Sequence, residues 1–123
     1  GTLIGCTGEG IIGSEGEVER EPAMALWVAS MPGARVHPFR IDQAKLEEID
    51  SVEAFHDLLD VKPEAGQSFI VLANPYSFHI VNFLNAVNDC YRGAPVVGGL
   101  ASGADGPGQV RLAFNEDCHD EPG

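Results

Sequence analysis

The run from Ser68 to Gly99 constrains the fold most, because it contains the pattern of a strand, a helix and a second strand in succession. Residues 68–73 are β-branched and apolar, and residues 94–99 form a second short apolar run. Between them, helical spacing of apolar residues predicts a helix from residue 78 to about residue 92, with Ser77 as its N-cap. Such a unit pairs two parallel strands through a right-handed crossover. We therefore expect an α/β domain.

A second part of the sheet is predicted to be an antiparallel hairpin. Residues 23–31 are the most apolar stretch and contain the only tryptophan, and the Pro32-Gly33 turn follows them. Residues 34–41 alternate between apolar and polar side chains, and Pro38 places them at an edge or a bulge. The fold class is therefore a mixed sheet, with this hairpin and the parallel strand–helix–strand unit.

The remaining elements are shorter. Asp50 and Glu53 form a capping-box pattern that predicts a helix ending near Leu59. Residues 2–6 are predicted to be a buried strand and residues 109–114 a final strand. The acidic residues 14–22, which follow the first strand and its glycine-rich loop, are predicted to be a solvated loop.

Charge and cysteine content restrict the possible partners. The net charge is −12, with 7 basic and 19 acidic residues, which argues against nucleic acid and against an anionic membrane. The three cysteines are an odd number without zinc-finger spacing, which favours the cytoplasm. No apolar run reaches the roughly 18 residues of a membrane span. We predict a cytoplasmic protein without metal or cofactor.

The two ends of the chain suggest a fragment of a longer protein. The sequence starts at Gly1 with a strand almost at once, and it stops in the acidic residues 116–123. We expect an incomplete domain over residues 1–115 and an acidic tail or linker over residues 116–123. That tail contains acids, a cysteine and a histidine that could bind a metal ion, but a flexible acidic end is the favoured interpretation.

A glycine-rich loop follows the first strand. The spacing Gly8-x-Gly10-x-x-Gly13 fits the dinucleotide-binding fingerprint. That motif requires a helix directly after the glycines and an acid about 20 residues further on. Here residues 14–22 contain Gly16 and Pro22, and the next predicted strand ends without an acid. The spacing is therefore interpreted as a coincidence.

A cysteine or threonine nucleophile is an alternative use of the same loop. Cys6 lies at the end of the predicted strand, next to Thr7. A reactive thiolate needs a neighbouring base or a helix N-terminus. The pattern places no histidine near Cys6, and the candidates are His37, His56, His79 and His119. A small buried strand residue is the simpler interpretation of Cys6.

A second glycine cluster, at residues 100–108, follows the predicted strand at residues 94–99. If the two strands are neighbours, both loops meet at the strand ends where α/β sheets bind ligands. Glu9 would then hold a ligand amine, while backbone N–H groups, Thr7 or Ser102 would hold a carboxylate. Tight-turn chemistry without a ligand explains the glycines equally well. The candidate ligand-binding residues are Gly5, Cys6, Thr7, Gly8, Glu9, Gly10, Asn74, Gly98, Gly99 and Ser102.

Four segments in order resemble the N-terminal part of a FIST domain, the F-box and intracellular signal transduction domain. They are residues 3–13, 23–33, 72–77 and 96–103. The resemblance implies a sensory module for small ligands such as amino acids, found alone or beside signalling domains or F-boxes. It also implies a C-terminal FIST part and a stretch before Leu3, both lacking here. It supplies no catalytic residues.

The two glycine clusters allow a small ligand to bind between them, and the resemblance to the FIST domain implies that this module is a non-enzymatic sensor of a small ligand, such as an amino acid or a related metabolite, in intracellular signal transduction. The expected partners are the ligand, the C-terminal FIST part and a fused or associated signalling domain. Two alternatives stay open. One is a hydrolase or transferase that uses Cys6 or Thr7, and the other is a structural or adaptor module.

Overall fold

The computed structural model describes residues 1–119, the last of them by its backbone only. The elements in chain order are β1 (Ile4–Cys6), β2 (Gly10–Gly13), β3 (Gly16–Glu19), α1 (Gln43–Glu47), α2 (Val52–Leu59), β4 (Phe69–Ala73), α3 (Ile80–Cys90), β5 (Val96–Leu100), β6 (Leu112–Phe114) and β7 (Asp117–His119). Parallel and antiparallel pairs both occur, which confirms the mixed α/β class.

The parallel unit is present as predicted. β4 and β5 are parallel neighbours, with Phe69 opposite Val96 and Ala73 opposite Leu100, and α3 connects them. Phe69 and Ala73 are buried, which places one face of this pair against the helices. The pattern of β-branched strands flanking an amphipathic helix was sufficient to predict this unit.

Aromatic side chains from α2, α3 and β4 form the centre of the core. Phe55 of α2 contacts Phe83 of α3 with ring centroids 5.9 Å apart, and Phe69 contacts Tyr91 at 5.0 Å. The Tyr91 hydroxyl donates a hydrogen bond of 2.5 Å to the carbonyl oxygen of Val61. Burial above all raises the pKa of Tyr91 to about 12, so this hydroxyl stays protonated and keeps its bond.

The antiparallel pairs lie at the two ends of the chain. β1, β6 and β7 form one sheet in the order β1-β6-β7, and β2 pairs with β3 as a hairpin. The prediction of a plain loop over residues 14–22 is therefore wrong for Gly16–Glu19, which pair with the strand before them. In the predicted acidic tail, residues 117–119 pair with β6, and residues 120–123 lie outside the described part of the chain. The proposed domain boundary after residue 115 stays a prediction.

Residues 23–41 contain neither a strand nor a helix, so the predicted hairpin in this region is wrong. Among described residues, their one backbone–backbone hydrogen bond runs from the Ala34 N–H to the Met31 carbonyl, across the Pro32-Gly33 turn. Met24 is 85% exposed and Trp27 is 77% exposed. The apolar composition predicted a strand here, but it carried no information about a strand that would pair with it.

The helix starts differ from the predicted ones in detail. The N-cap of α2 is Ser51, whose hydroxyl accepts a 3.1 Å hydrogen bond from the Ala54 N–H, so the capping role predicted for Asp50 is wrong. Ser77 is likewise not the cap of α3, which begins one residue after His79 without a side-chain cap. The Ser77 hydroxyl is buried and has no hydrogen-bond partner among the residues that the structure describes. A short helix missed by the sequence pattern, α1, is capped by Asp42.

Ser51→Ala is expected to lower the free energy of unfolding by about 1 kcal/mol, because the Ala54 N–H loses its side-chain acceptor. The neighbouring Asp50→Ala is the matched control and should change stability by only a few tenths of a kcal/mol. Urea unfolding followed by circular dichroism measures both. Equal losses for the two variants would contradict the assignment of the cap.

Within residues 1–119, none of the helices has the length and apolar character needed to cross a membrane.

Candidate functional site: a cleft between two glycine-rich loops

The loops that follow β1 and β5 touch. The sequence analysis expected this contact if the two strands were neighbours, but β1 pairs with β6 and β5 pairs with β4, so the loops meet without that pairing. The Ser102 N–H donates a 3.0 Å hydrogen bond to the carbonyl oxygen of Thr7. In return, the Glu9 N–H donates a 3.1 Å bond to the Ser102 hydroxyl. The two bonds join chain segments more than 90 residues apart in sequence, and they hold the loops in a fixed relative position.

The closest approach of the two loops is made by glycine. Gly103 has a φ of +80°, and a Cβ built there would lie 2.7 Å from the Gly8 carbonyl oxygen and 3.1 Å from the Glu9 nitrogen. A side chain is therefore excluded both by the backbone conformation and by the space available. This glycine, which the sequence analysis placed in the second cluster but not among the site residues, permits the contact.

Thr7 links the loop to a third segment of the chain. Its N–H donates a 3.0 Å bond to the Arg111 carbonyl, and its hydroxyl accepts a 3.1 Å bond from the Arg111 N–H. The hydroxyl oxygen of Thr7 thus continues the pairing of β1 with β6 beyond the end of the strands. The Thr7 hydroxyl therefore still has its own proton to donate to a ligand.

An open depression of about 280 Å³ lies where the loops meet. Its lining consists of Gly8, Glu9, Gly103, Ala104 and Asp105. Within residues 1–119, neither the Glu9 nor the Asp105 carboxylate forms a hydrogen bond or an ion pair with another residue. Two unpaired carboxylates at one depression favour a cationic group. The sequence analysis missed Ala104 and Asp105, although an acid inside the second glycine cluster was a signal for the latter.

The other predicted site residues lie around the depression without lining it. Gly5, Gly98 and Gly99 are strand residues, and Gly10 begins β2 opposite Glu19. A Cβ at Gly98 would overlap the carbonyl oxygen of Val71, so this glycine permits the close pairing of β4 with β5. Their part in ligand binding stays a prediction.

Asn74 lies at the end of β4, beside the two loops. It is 5% exposed, and its side-chain oxygen accepts a 3.0 Å bond from the Tyr76 N–H. The Tyr76 hydroxyl donates in turn to the Ala104 carbonyl at 3.3 Å, and the Ala101 N–H bonds the Ala73 carbonyl at 2.9 Å. The turn after β4 therefore supports the wall of the depression through Tyr76, while Asn74 shapes that turn.

Cys6 has no feature of an activated nucleophile. Its side chain is exposed at the end of β1, so the interpretation of Cys6 as a buried strand residue is wrong, and partial desolvation raises the pKa of its thiol. One ring nitrogen of each of three histidines is bonded elsewhere: His37 Nε2 to the Leu59 carbonyl, His56 Nε2 to the Cys90 carbonyl and His79 Nδ1 to the Gln43 side chain. The side chain of His119 lies outside the described part of the structure. Within the part described, no group of three or more potential metal ligands occurs.

Cys6 is expected to react with iodoacetamide more slowly than a small-molecule thiol at pH 7, because the raised pKa leaves less thiolate. The rate should keep rising as the pH passes the ordinary cysteine value of about 8.5. The alkylation rate of Cys6 is measured by quenching the reaction at a series of times and weighing the protein by mass spectrometry. A Cys90→Ser, Cys118→Ser variant leaves Cys6 as the reacting thiol. Reaction faster than the model thiol at neutral pH would instead support a nucleophilic Cys6.

The fold and the site define a mixed α/β domain with a glycine-lined depression at the meeting point of two strand ends. The profile of the FIST N domain family matches residues 1–121, and the chain belongs to this family. FIST domains are generally sensory domains of signal transduction.

Similar proteins come from mycobacteria. The uncharacterized protein Rv0628c of Mycobacterium tuberculosis is 32% identical over 115 residues, and the uncharacterized protein Mb0898c of Mycobacterium bovis is 28% identical over 115 residues. Each match covers 94% of this chain and 28% of the relative. The chain thus spans little more than a quarter of the length of these relatives. No solved structure matches it significantly.

Proposed function

We propose that this domain is a non-enzymatic sensory module of intracellular signal transduction and that it binds a small ligand between the two glycine-rich loops. The observation that carries the proposal is the unpaired Glu9 and Asp105 carboxylates beside loops that hydrogen bonds hold together. Family membership supports the same function.

The ligand class follows from the polar groups around the depression. The Glu9 and Asp105 carboxylates favour an ammonium group, while the N–H groups of Thr7, Glu9 and Ser102 are already used within the protein. Recognition therefore depends mainly on the amine end of the ligand. A volume of about 280 Å³ is at the small end of ligand pockets and suits an amino acid or a related metabolite.

The environment of the possible nucleophiles supports binding over catalysis. The Thr7 hydroxyl accepts a backbone hydrogen bond, and burial raises the pKa of the Cys6 thiol. Neither group is bonded to a described histidine that could serve as its base. A nucleophile without a base or a lowered pKa is a poor catalyst.

A thermal-shift screen of amino acids and small amines on the full-length protein tests the function. A ligand at 100 times its Kd should add about 2.7 kcal/mol of stability. Glu9→Gln should abolish most of the shift, because it removes the charge and keeps the shape. The matched control is Glu15→Gln, since Glu15 lies in the β2–β3 turn away from the depression lining. A shift that both variants retain would place binding elsewhere, and no shift with any amine would remove the support for this function.

Signal transmission would require a ligand that binds two states of the full-length protein with different affinities. The partners in that step would be the C-terminal FIST part and a fused or associated signalling domain. A ligand-dependent change in their association, lost in Glu9→Gln, is the expected result of a pull-down or of light scattering.

A further inference from the structure

A nine-residue segment, residues 23–31, exposes an unusual amount of apolar surface; we name it the apolar arm. Five large apolar side chains on it are more than half exposed: Met24, Leu26, Trp27, Val28 and Met31. Single exposed apolar residues are common on protein surfaces, but a contiguous run of them marks an interaction surface. The rest of the described domain leaves this run uncovered.

Most of the backbone of the apolar arm also has no hydrogen-bond partner among the described residues. No backbone–backbone hydrogen bond joins residues 23–30 to another described residue, and the first carbonyl to accept one is that of Met31. An apolar surface that becomes covered must also satisfy the N–H and C=O groups beneath it. The arm can therefore offer a partner both apolar side chains and a row of backbone groups.

A second surface also exposes apolar side chains that nothing in the described domain covers. On the outer face of the β4–β5 pair, Ile70 and Val97 lie opposite each other and are 56% and 61% exposed. Gly99, on the same face, has no atom within 4 Å of a Cβ position. Parallel strands are almost always covered on both faces, and two strands alone are marginally stable. The domain as described thus lacks a layer on this side.

We propose that the apolar arm is an intramolecular docking surface, packed in the full-length protein against apolar residues of the part that lies outside the FIST N region. The length of the relatives carries the choice of occupant, because this domain matches only 28% of each. An interface this apolar resembles a permanent one, such as that between two parts of one fold, more than a transient contact. This assignment is independent of the ligand proposed for the glycine-lined depression.

The emission of Trp27 provides a test in the wild-type protein, because Trp27 is the only tryptophan of this sequence. Its emission in the full-length protein is obtained as the difference between the wild-type protein and Trp27→Phe. The expected result is blue-shifted emission and several-fold weaker acrylamide quenching than N-acetyltryptophanamide. Quenching equal to that of the free compound would overturn the proposal.

A pair of matched substitutions tests the energetics. Val28 in the apolar arm is 79% exposed within this domain, and Ile12 in β2 is 82% exposed. Val28→Asp should lower the Tm of the full-length protein by about 5 °C or more, since it places a charge in an apolar interface, while Ile12→Asp should change it little. Equal, small shifts would contradict the proposal. If the protection of Trp27 from acrylamide disappears when a dimer is diluted to monomer, the apolar arm packs against a second copy of the chain. That result would also overturn the proposal.

Discussion

Gly98→Ala is expected to lower the free energy of unfolding by at least about 3 kcal/mol or to prevent folding. Gly98 has a φ of +154°, and a Cβ there would overlap the carbonyl oxygen of Val71 on the neighbouring strand. The clashing atom belongs to the backbone of Val71, so no side-chain rotation can relieve the clash. Relief requires the β4–β5 pair to separate, and that pair carries Phe69 and Ala73 of the core.

The adjacent residue supplies the control for this prediction. Gly99 lies in the same strand and has no atom within 4 Å of its Cβ position. Gly99→Ala should therefore leave stability within about 0.5 kcal/mol of the wild type. Urea unfolding of both variants measures the difference. Similar stabilities for the two would show that the parallel pair is looser than the register of Val71 with Gly98 indicates.

The second large effect is expected at the contact between the loops. Gly103→Ala should cost about 2 kcal/mol, because a φ of +80° penalises a side chain and the new Cβ would lie 2.7 Å from the Gly8 carbonyl oxygen. The loops would move apart, and the hydrogen bonds between Ser102 and the Thr7 to Glu9 loop would weaken. The variant should also lose affinity for the amine ligand while keeping its secondary structure.

Gly106→Ala is the matched control for that change, since Gly106 lies in the same loop with open space at its Cβ position. Hydrogen exchange of the Ser102 amide gives the most specific readout, because this N–H bonds the Thr7 carbonyl. Exchange should accelerate in Gly103→Ala and stay unchanged in Gly106→Ala. Unchanged exchange in both would mean that the loops do not depend on the glycine.

Local patterns predicted those parts of the fold whose partners are close in sequence. The parallel unit followed from β-branched runs on either side of an amphipathic segment, and α3 appears at Ile80–Cys90 inside the predicted range. The exact helix starts were less predictable, because Asp50 and Ser51 are both good N-caps and only the backbone geometry selects Ser51.

The errors concern the segments that depend on distant partners. Residues 23–31 have the composition of a buried strand, yet composition alone cannot show whether a neighbouring strand is present. Conversely, Gly16–Glu19 are too acidic to resemble a core strand, and they pair in an exposed hairpin where burial is not required. Both errors arise because strand formation depends on pairing.

The contact between the glycine-rich loops was expected only if β1 and β5 were neighbouring strands, and the described sheets pair β1 with β6 and β5 with β4. The contact is made by the loops themselves, through the hydrogen bonds of Ser102 with Thr7 and Glu9. The position of Asp105 in the depression was not predictable from sequence, because it depends on the path of the loop between Gly103 and Gly108. The hydroxyls of Thr7 and Ser102 illustrate the same limit. Both were predicted to face a ligand, and both accept backbone hydrogen bonds that hold the loops.

The most direct test of the central proposal is an amide NMR titration of the protein with the amine ligand that gives the largest thermal shift. The account predicts saturable shifts at Gly8, Glu9, Gly103, Ala104 and Asp105, which line the depression. In Glu9→Gln the same shifts should require a much higher ligand concentration, and in Glu15→Gln they should match the wild type. Shifts confined to other parts of the chain, or equal affinities for Glu9→Gln and wild type, would contradict ligand binding between the two loops.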